Sequence, residues 1–234
     1  KYANYLELAH KEVKISPNTI VSEWQNAIRF MEEPRYNWNL PMYYYTNKFL
    51  SNNKVVVTMA GDIGDEIYGG YKQYFNLKHL TNKPKNWRDF LKIWMHKFAS
   101  PIDLNIEFNK NDLLDILLQV LPEDLWNPDD ISNSAMALDC ITTVSEDFFS
   151  RNDRFGMAFS MEGRFPLASK KYMEYCLSIN SDYKIGANIN ETKLPVRHSY
   201  RDKIPDYILN KYKTGWSAPM TEWFKQSNEM KNNL

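Results

Sequence analysis

Apolar residues in the first quarter of the chain recur with spacings that change from one short segment to the next. Apolar residues at helical spacing predict helices. Ser16 and Pro17 mark the start of one of them, because a serine hydroxyl can bond one of the first unpaired amides and proline has no amide hydrogen to pair. A polar–apolar alternation predicts a short strand. The predicted helices cover residues 2–9, 16–33 and 41–50, and the predicted strand covers residues 10–15.

A second predicted strand has a different pattern. Residues 54–60 form a continuous, valine-rich run without alternation. Such a run is typical of a central parallel strand whose two faces are both covered by helices. The order helix, strand, helix, strand therefore predicts an α/β fold in which this part of the chain belongs to a doubly wound parallel sheet.

The pattern becomes purely helical from Trp87 onward. The predicted helices cover residues 87–98, 113–121, 135–149 and 172–179. We therefore expect one domain with two parts. Residues 1–85 would form the end of the α/β sheet, and residues 86–234 would form a helical layer.

Composition excludes several classes of protein. The 29 basic and 29 acidic residues cancel, so no global field favours nucleic acid or an anionic membrane. No apolar run is long enough to span a bilayer, which favours a soluble cytoplasmic protein. Cys140 and Cys176 lack metal-ligand spacing and are interpreted as buried thiols. The chain opens with Lys1 inside an element, so we expect it to be a fragment.

Acidic residues and glycines follow the predicted central strand directly. In open α/β sheets ligands bind beyond the carboxyl ends of the strands. Gly61 and Gly64 would allow a sharp turn and a close approach to a ligand, and Gly69-Gly70 would end a single helical turn. Asp62, Asp65 and Glu66 would line the site, where carboxylates hold Mg²⁺ or raise one another's pKa. A solvated acidic turn explains the same spacing equally well.

Residues 60–71 resemble a block of the asparagine synthetase family, Ser-Gly-Glu/Asp-Gly-x-Asp-Glu-Leu-Phe-Gly-Gly-Tyr. Ala60 stands in place of the family serine, and Ile63 stands in place of a glycine. Upstream, His10 and Glu33-Pro34 resemble two shorter family blocks.

Residues 145–166 resemble a longer downstream block of the same family, with Arg151 in place of a lysine. The resemblance implies that Asp153 and Glu162 bind substrate. Arg154 and Arg164 are better explained as members of a buried network of structural ion pairs that fixes helix ends. Ser169 stands where the family usually has aspartate.

Two blocks near the end of the chain complete the resemblance. Residues 191–197 are similar to Thr-Lys-x-x-x-Arg, and residues 208–223 are similar to Arg-x-Lys-x-Gly-Phe-x-x-Pro-x-x-x-Trp. A compact ammonium before a glycine suits a polyphosphate. The resemblance therefore implies that Lys213 is catalytic and binds the departing pyrophosphate.

The family implies an adenine nucleotide alpha hydrolase-like fold of the ATP pyrophosphatase type. It also implies ATP-dependent conversion of aspartate to asparagine through an aspartyl-adenylate. Catalytic Asp62 would stabilise the positively charged centre formed by ammonia attack, Asp65 would bind substrate and Mg²⁺, and Gly61 would contact substrate. The ammonia would come from a glutaminase domain upstream in the parent protein, and a homodimer is compatible with this interpretation.

The family's phosphate loop, Ser-Gly-Gly-x-Asp-Ser, does not occur in these 234 residues. We therefore expect the isolated chain to show no exchange of pyrophosphate into ATP. Two alternatives stay open: a related amide- or lactam-forming ligase for another carboxylate, and an inactive binding or assembly homologue.

Overall fold

Short helices make up most of the computed structural model, which describes residues 2–33, 37, 39–95, 110–211, 213–215 and 218–233. The α-helices are α1 Tyr2–Tyr5, α2 Pro17–Met31, α3 Leu40–Asn52, α4 Gly64–Tyr68, α5 Lys72–Lys78, α6 Trp87–Met95, α7 Lys110–Val120, α8 Ile131–Asp139, α9 Ser150–Met157, α10 Lys170–Ser178, α11 Leu194–Tyr200, α12 Asp206–Leu209, α13 Met220–Gln226 and α14 Asn228–Asn233. A π-helix covers Cys140–Phe149, and 3-10 turns cover Glu123–Leu125, Pro166–Ala168 and Ser181–Tyr183. In the described residues, β1 Val57–Met59 pairs in parallel with β2 Glu162–Arg164. The described helices include none that is both long and apolar enough to cross a membrane.

The start of α2 follows from its capping residues, as the sequence predicts. The Ser16 hydroxyl accepts a hydrogen bond from the Thr19 amide at 3.3 Å, and Pro17 occupies the first turn, where no amide partner is needed. The helix ends at Met31, two residues before the predicted end, and Glu32 caps it with a left-handed φ of 59°. Pro34, which directly follows the predicted helix, lies outside the described residues.

The predicted strand over residues 10–15 is wrong. This segment is irregular and mostly exposed. Its apolar residue Ile15 packs against a small core formed by Ile20, Met42 and Met230. The alternating pattern therefore reflects the packing of one side chain, Ile15, and not the pairing of this segment with another strand. The first helix is also shorter than predicted, ending at Tyr5.

The sheet is parallel, as predicted, but it is small. Thr58 pairs with Gly163, and the Ala60 amide extends the ladder by donating to the Arg164 carbonyl at 3.0 Å. The predicted coverage of both strand faces is wrong within this chain, since Val56 is 66% exposed and Met59 is 75% exposed. The described residues thus form a mixed α/β structure dominated by helices, with one short parallel pair.

The chain divides into two compact units. The first comprises residues Lys1–Asp62, Thr143–Leu167 and Asp206–Leu234, and the second comprises Ile63–Thr142 and Ala168–Pro205. The first unit contains both strands and α9. The second unit contains α4 to α8, α10 and α11. The sequence-based division at residue 85 separates a predicted sheet part from a predicted helical part. This division stays a prediction.

A buried carboxylate organises the core of the second unit. Asp139 is 2% exposed and accepts hydrogen bonds from the Tyr74 hydroxyl at 2.6 Å, the Trp94 indole at 2.8 Å and the Gln73 amide at 2.9 Å. These bonds tie together α5, α6 and α8. The helix predicted over residues 87–98 is confirmed as far as Met95, and the rest lies outside the described residues.

The remaining helical predictions are confirmed in position. Helices α7, α8 and α10 match them, and both cysteines are buried and free, as predicted. The predicted helix over residues 135–149 continues from α8 as a π-helix. Such wide turns are rare, and helical periodicity did not predict this one.

Candidate functional site

The acidic turn after β1 takes its shape from an isoleucine. Ile63 has a φ of 69°, a left-handed conformation that a β-branched side chain rarely adopts, and it is the residue before α4. Gly69, also with a φ of 69°, ends α4, as predicted. Gly61 and Gly64 flank the turn, but neither has a positive φ, and their predicted role in allowing the turn stays a prediction. Ile63 holds the conformation for which the resembling family uses glycine.

Asp62 lies in the first unit, three residues after β1, where its carboxylate is fixed by α9. Its Oδ2 atom accepts a hydrogen bond from Asn152 Nδ2 at 2.6 Å, and both side chains are half-buried. The two residues are 90 positions apart. The end of β1 and the first turn of α9 therefore meet at the predicted catalytic acid.

A second set of charged groups surrounds the same turn of α9. Arg151 is 3% exposed, bonds Asp147 Oδ2 at 2.7 Å, and lies 4.0 Å from the centroid of the Tyr43 ring. Burial raises the pKa of Tyr43; the Arg151 guanidinium opposes this rise, and the carboxylates of Asp62 and Asp147 add to it. Tyr43 thus stays a neutral hydroxyl near the Asp62 carboxylate.

Asp65 lies in the second unit, on α4, where it forms an ion pair. Its Oδ1 atom is 2.8 Å from Lys193 Nζ, and the side chains are 15% and 31% exposed. The pair packs over Gly70: a Cβ built there would overlap Asp65 Oδ1 and lie 2.6 Å from Lys193 Cε. Lys193 itself has a left-handed φ of 55° at the start of α11. Gly70 is therefore required because the carboxylate and the ammonium occupy the space of a side chain.

Glu66, the third acid of the turn, is 1% exposed. Burial raises the pKa of its carboxyl, while a hydrogen bond from Tyr71 acts in the opposite direction. Its Oε1 atom has no hydrogen-bond partner among the described residues. The prediction that Glu66 lines a solvent-open site is therefore wrong.

The four residues predicted in the downstream block lie in the first unit. Asp153 is exposed on α9, one position after Asn152. Glu162 pairs with Arg164 at the surface of β2, and their side chains are 53% and 60% exposed. Arg154 lies 3.6 Å from Glu32 Oε2 and donates to the Met31 carbonyl. Both arginines thus make ion pairs, as predicted, but the predicted burial is wrong, because the pairs are partly or largely exposed. The substrate roles of Asp153 and Glu162 stay predictions.

Lys213 and Gly61 are both exposed to solvent. Lys213 lies in the loop between α12 and α13, and parts of that loop are outside the described residues. A Cβ added at Gly61 would meet nothing within 4 Å. The backbone at Gly61 is therefore open to close approach by a ligand. The convergence of Lys213 with the acidic turn stays a prediction.

The described residues contain no group of three His, Cys, Asp or Glu side chains that could hold a metal. Mg²⁺ usually takes one or two protein carboxylates and completes its shell with water and substrate phosphates. Asp65 is partly accessible, and its Oδ1 atom is paired with Lys193, so its role as a single ligand of such an ion stays a prediction.

Sequence reasoning missed the two residues that contact the predicted acids. Lys193 belongs to a block that resembles the family, but that resemblance does not indicate that Lys193 pairs with Asp65. Asn152 occupies a position that is variable in the family block, so no motif signals it. Its hydrogen bond to Asp62 depends on the rotation of α9 about its own axis.

Comparison with known proteins gives a family for the whole chain. The asparagine synthase family model matches residues 1–234, and the chain belongs to this family. It is 22% identical to glutamine-hydrolysing asparagine synthetase 1 of Bacillus subtilis over 255 residues, which cover 94% of the chain and 40% of that protein. It is also 22% identical to a putative glutamine-hydrolysing asparagine synthetase of Mycobacterium tuberculosis, over 90% of the chain and 37% of that protein. The chain thus spans about 40% or less of the length of these curated relatives.

Proposed function

We propose that the chain is part of the amide-forming domain of an ATP-dependent ligase that converts aspartate to asparagine. The observation that carries this proposal is the acidic turn directly after the parallel strand, in a chain that belongs throughout to the asparagine synthase family. The finer fold that goes with it is a doubly wound sheet of the ATP pyrophosphatase type. The curated relatives are named glutamine-hydrolysing, which favours glutamine as the ammonia source.

The reaction has two steps with different electrostatic demands. An aspartate side-chain oxygen attacks the α-phosphorus of ATP, and the bond to pyrophosphate breaks. Ammonia then attacks the acyl carbon, AMP leaves, and a proton is lost from the nitrogen. The first step builds negative charge on the leaving group, and the second builds positive charge on nitrogen.

The site residues divide between these two demands. The ammonium of Lys213 would neutralise the departing pyrophosphate. The carboxylate of Asp62 would stabilise the positively charged tetrahedral centre, and Asn152 keeps that carboxylate in place at 2.6 Å. Asp153, Glu162 and the open backbone at Gly61 are the proposed substrate contacts.

Mg²⁺ is the metal ion that this chemistry uses, and Asp65 is the residue that would hold it. When bound, the ion would neutralise negative charge on the phosphates. Asp65 is held ready at the surface of α4 by Lys193, 2.8 Å away. Lys193 therefore places a second positive charge next to Asp65.

The conformation of Ile63 favours a working enzyme over an inactive homologue. A glycine in the family block is replaced here, yet the backbone keeps a φ of 69°. A left-handed isoleucine costs about 1–2 kcal/mol. The fold therefore maintains the turn despite the substitution.

The test uses the longest natural polypeptide that contains these 234 residues, supplied with ATP, ammonium and a panel of amino-acid carboxylates. We expect asparagine, AMP and pyrophosphate in equal amounts with aspartate. Turnover of a different carboxylate would assign the chain to a related ligase, and no turnover with any of them would assign it to the inactive homologues. The isolated chain should give no pyrophosphate exchange, because its sequence lacks the family's phosphate loop.

A further inference from the structure

Asn152 is the residue through which α9 acts on the acidic turn. We infer that Asn152 is a positioning residue: it fixes the orientation of the Asp62 carboxylate without neutralising its charge. This inference rests on the proposed function, because it concerns the ammonia step of that reaction.

Among the described residues, the sheet holds the backbone leading to Asp62 from one side only. Met59 pairs with Arg164, and the Ala60 amide donates to the Arg164 carbonyl at 3.0 Å. After Ala60 the chain leaves the ladder and enters the turn. The carboxylate of Asp62 therefore needs a side-chain partner to hold one rotamer, and Asn152 supplies it at 2.6 Å.

Asn152 is itself well fixed. It lies in the first turn of α9, directly after the π-helix, and its neighbour Phe155 is fully buried in a core with Met31 and Tyr44. The buried face of α9 sets the helix rotation. The Asn152 amide is thus placed by packing rather than by a flexible loop, and precise positioning requires such support.

The hydrogen-bond donor to Asp62 must be uncharged if the carboxylate is to act in the ammonia step. A carboxamide donates a hydrogen bond but carries no net charge, so Asp62 keeps its full negative charge. The neighbouring cation, Arg151, is committed elsewhere, to Asp147 at 2.7 Å and to the Tyr43 ring. A lysine or arginine at position 152 would instead form an ion pair and cancel the charge that the ammonia step needs.

The experiment separates the two half-reactions in the longest natural polypeptide that contains the chain. Amide formation from ammonium is compared with aspartate-dependent exchange of labelled pyrophosphate into ATP. For Asn152→Ala we expect kcat for amide formation to fall roughly tenfold to hundredfold, with exchange and KM for aspartate within about twofold of wild type. Asn26→Ala is the matched control, since Asn26 also donates to a carboxylate, Glu23 Oε2 at 3.3 Å, on α2. That control should keep both rates.

A charge swap distinguishes positioning from simple stabilisation. Asn152→Asp places two carboxylates together and should lower both thermal stability and amide formation. The double variant Asp62→Asn with Asn152→Asp restores one amide-to-carboxylate bond but moves the charge to α9. We expect it to recover stability without recovering amide formation.

Three results would overturn the inference while leaving the proposed function intact: equal losses in both half-reactions for Asn152→Ala, wild-type amide formation in that variant, or full rescue of activity by the swap. A wild-type protein that forms no amide with any carboxylate would instead overturn the proposed function itself, and the positioning role of Asn152 in that reaction with it.

Discussion

Gly70→Ala is the substitution whose effect the structure specifies most closely. Gly70 follows α4 and its left-handed cap, and the Asp65–Lys193 ion pair lies directly over its Cα atom. An alanine methyl group would overlap Asp65 Oδ1 and lie 2.6 Å from Lys193 Cε. Ordinary carbon–carbon contacts lie near 3.5–4.0 Å. The ion pair must therefore separate, or the backbone between α4 and α5 must move.

The size of the effect depends on the side chains that must move. Asp65 and Lys193 meet the added methyl group with the ends of flexible side chains that are 15% and 31% exposed, so both can shift aside. The main cost is the separation of a partly buried, water-screened ion pair, and the free energy of unfolding should fall by about 1–2 kcal/mol. For a chain of this length that corresponds to a midpoint roughly 2–8 °C lower.

Gly61→Ala is the matched control in the same turn. A Cβ at Gly61 would meet nothing within 4 Å, so its stability should stay within about 0.5 kcal/mol of wild type. Its backbone is a proposed substrate contact, so the same variant should lower amide formation in the longest natural polypeptide. Thermal unfolding by circular dichroism measures the first effect, and product formation measures the second. A Gly70→Ala protein as stable as Gly61→Ala would refute the packing of the ion pair over Gly70.

Three further predictions concern groups outside the turn. Asp139→Ala should lower the free energy of unfolding by about 3–5 kcal/mol, because three hydrogen-bond donors, two of them buried, lose their acceptor. Urea titration measures this loss. A loss below about 1 kcal/mol would contradict the hydrogen-bond network around Asp139. Burial lowers the pKa of Lys184 to about 8, so the unfolded state binds more protons above that pH, and stability should rise by up to about 1.4 kcal/mol per pH unit. Comparing wild type with Lys184→Met between about pH 7.5 and 9 isolates this rise, before buried Cys140, whose pKa is raised to about 12, adds an opposite dependence. Arg164→Met, at an exposed pair, should change urea stability by less than about 1 kcal/mol, and a larger change would indicate a structural role beyond the surface.

The sequence predicted those elements whose determinants are local. Ser16 begins α2 through its own hydroxyl, and Gly69 ends α4 through its own left-handed backbone, so each signal and its consequence lie within a few residues. The run of valines near β1 also predicted a parallel strand. It did not predict the exposure of Val56 and Met59. An apolar pattern indicates that a strand is suited to burial, but it does not show which residues cover the strand.

The contacts at the site could not be predicted, because they depend on non-local geometry. Asn152 reaches Asp62 across 90 positions only because the packing of α9 places its side chain there. Lys193 pairs with Asp65 because Gly70 leaves room, which no spacing of charges reveals. Glu66, adjacent to Asp65 in sequence, points into the core instead. Acidic residues in one motif thus have three different environments.

In the proposed mechanism, Lys213 serves adenylation and Asp62 serves ammonia attack. Aspartate-dependent exchange of labelled pyrophosphate into ATP, measured in the longest natural polypeptide containing the chain, tests this division most directly. We expect Lys213→Ala to abolish exchange and Asp62→Asn to retain it while losing amide formation. Exchange that survives Lys213→Ala, or that disappears with Asp62→Asn, would contradict this assignment.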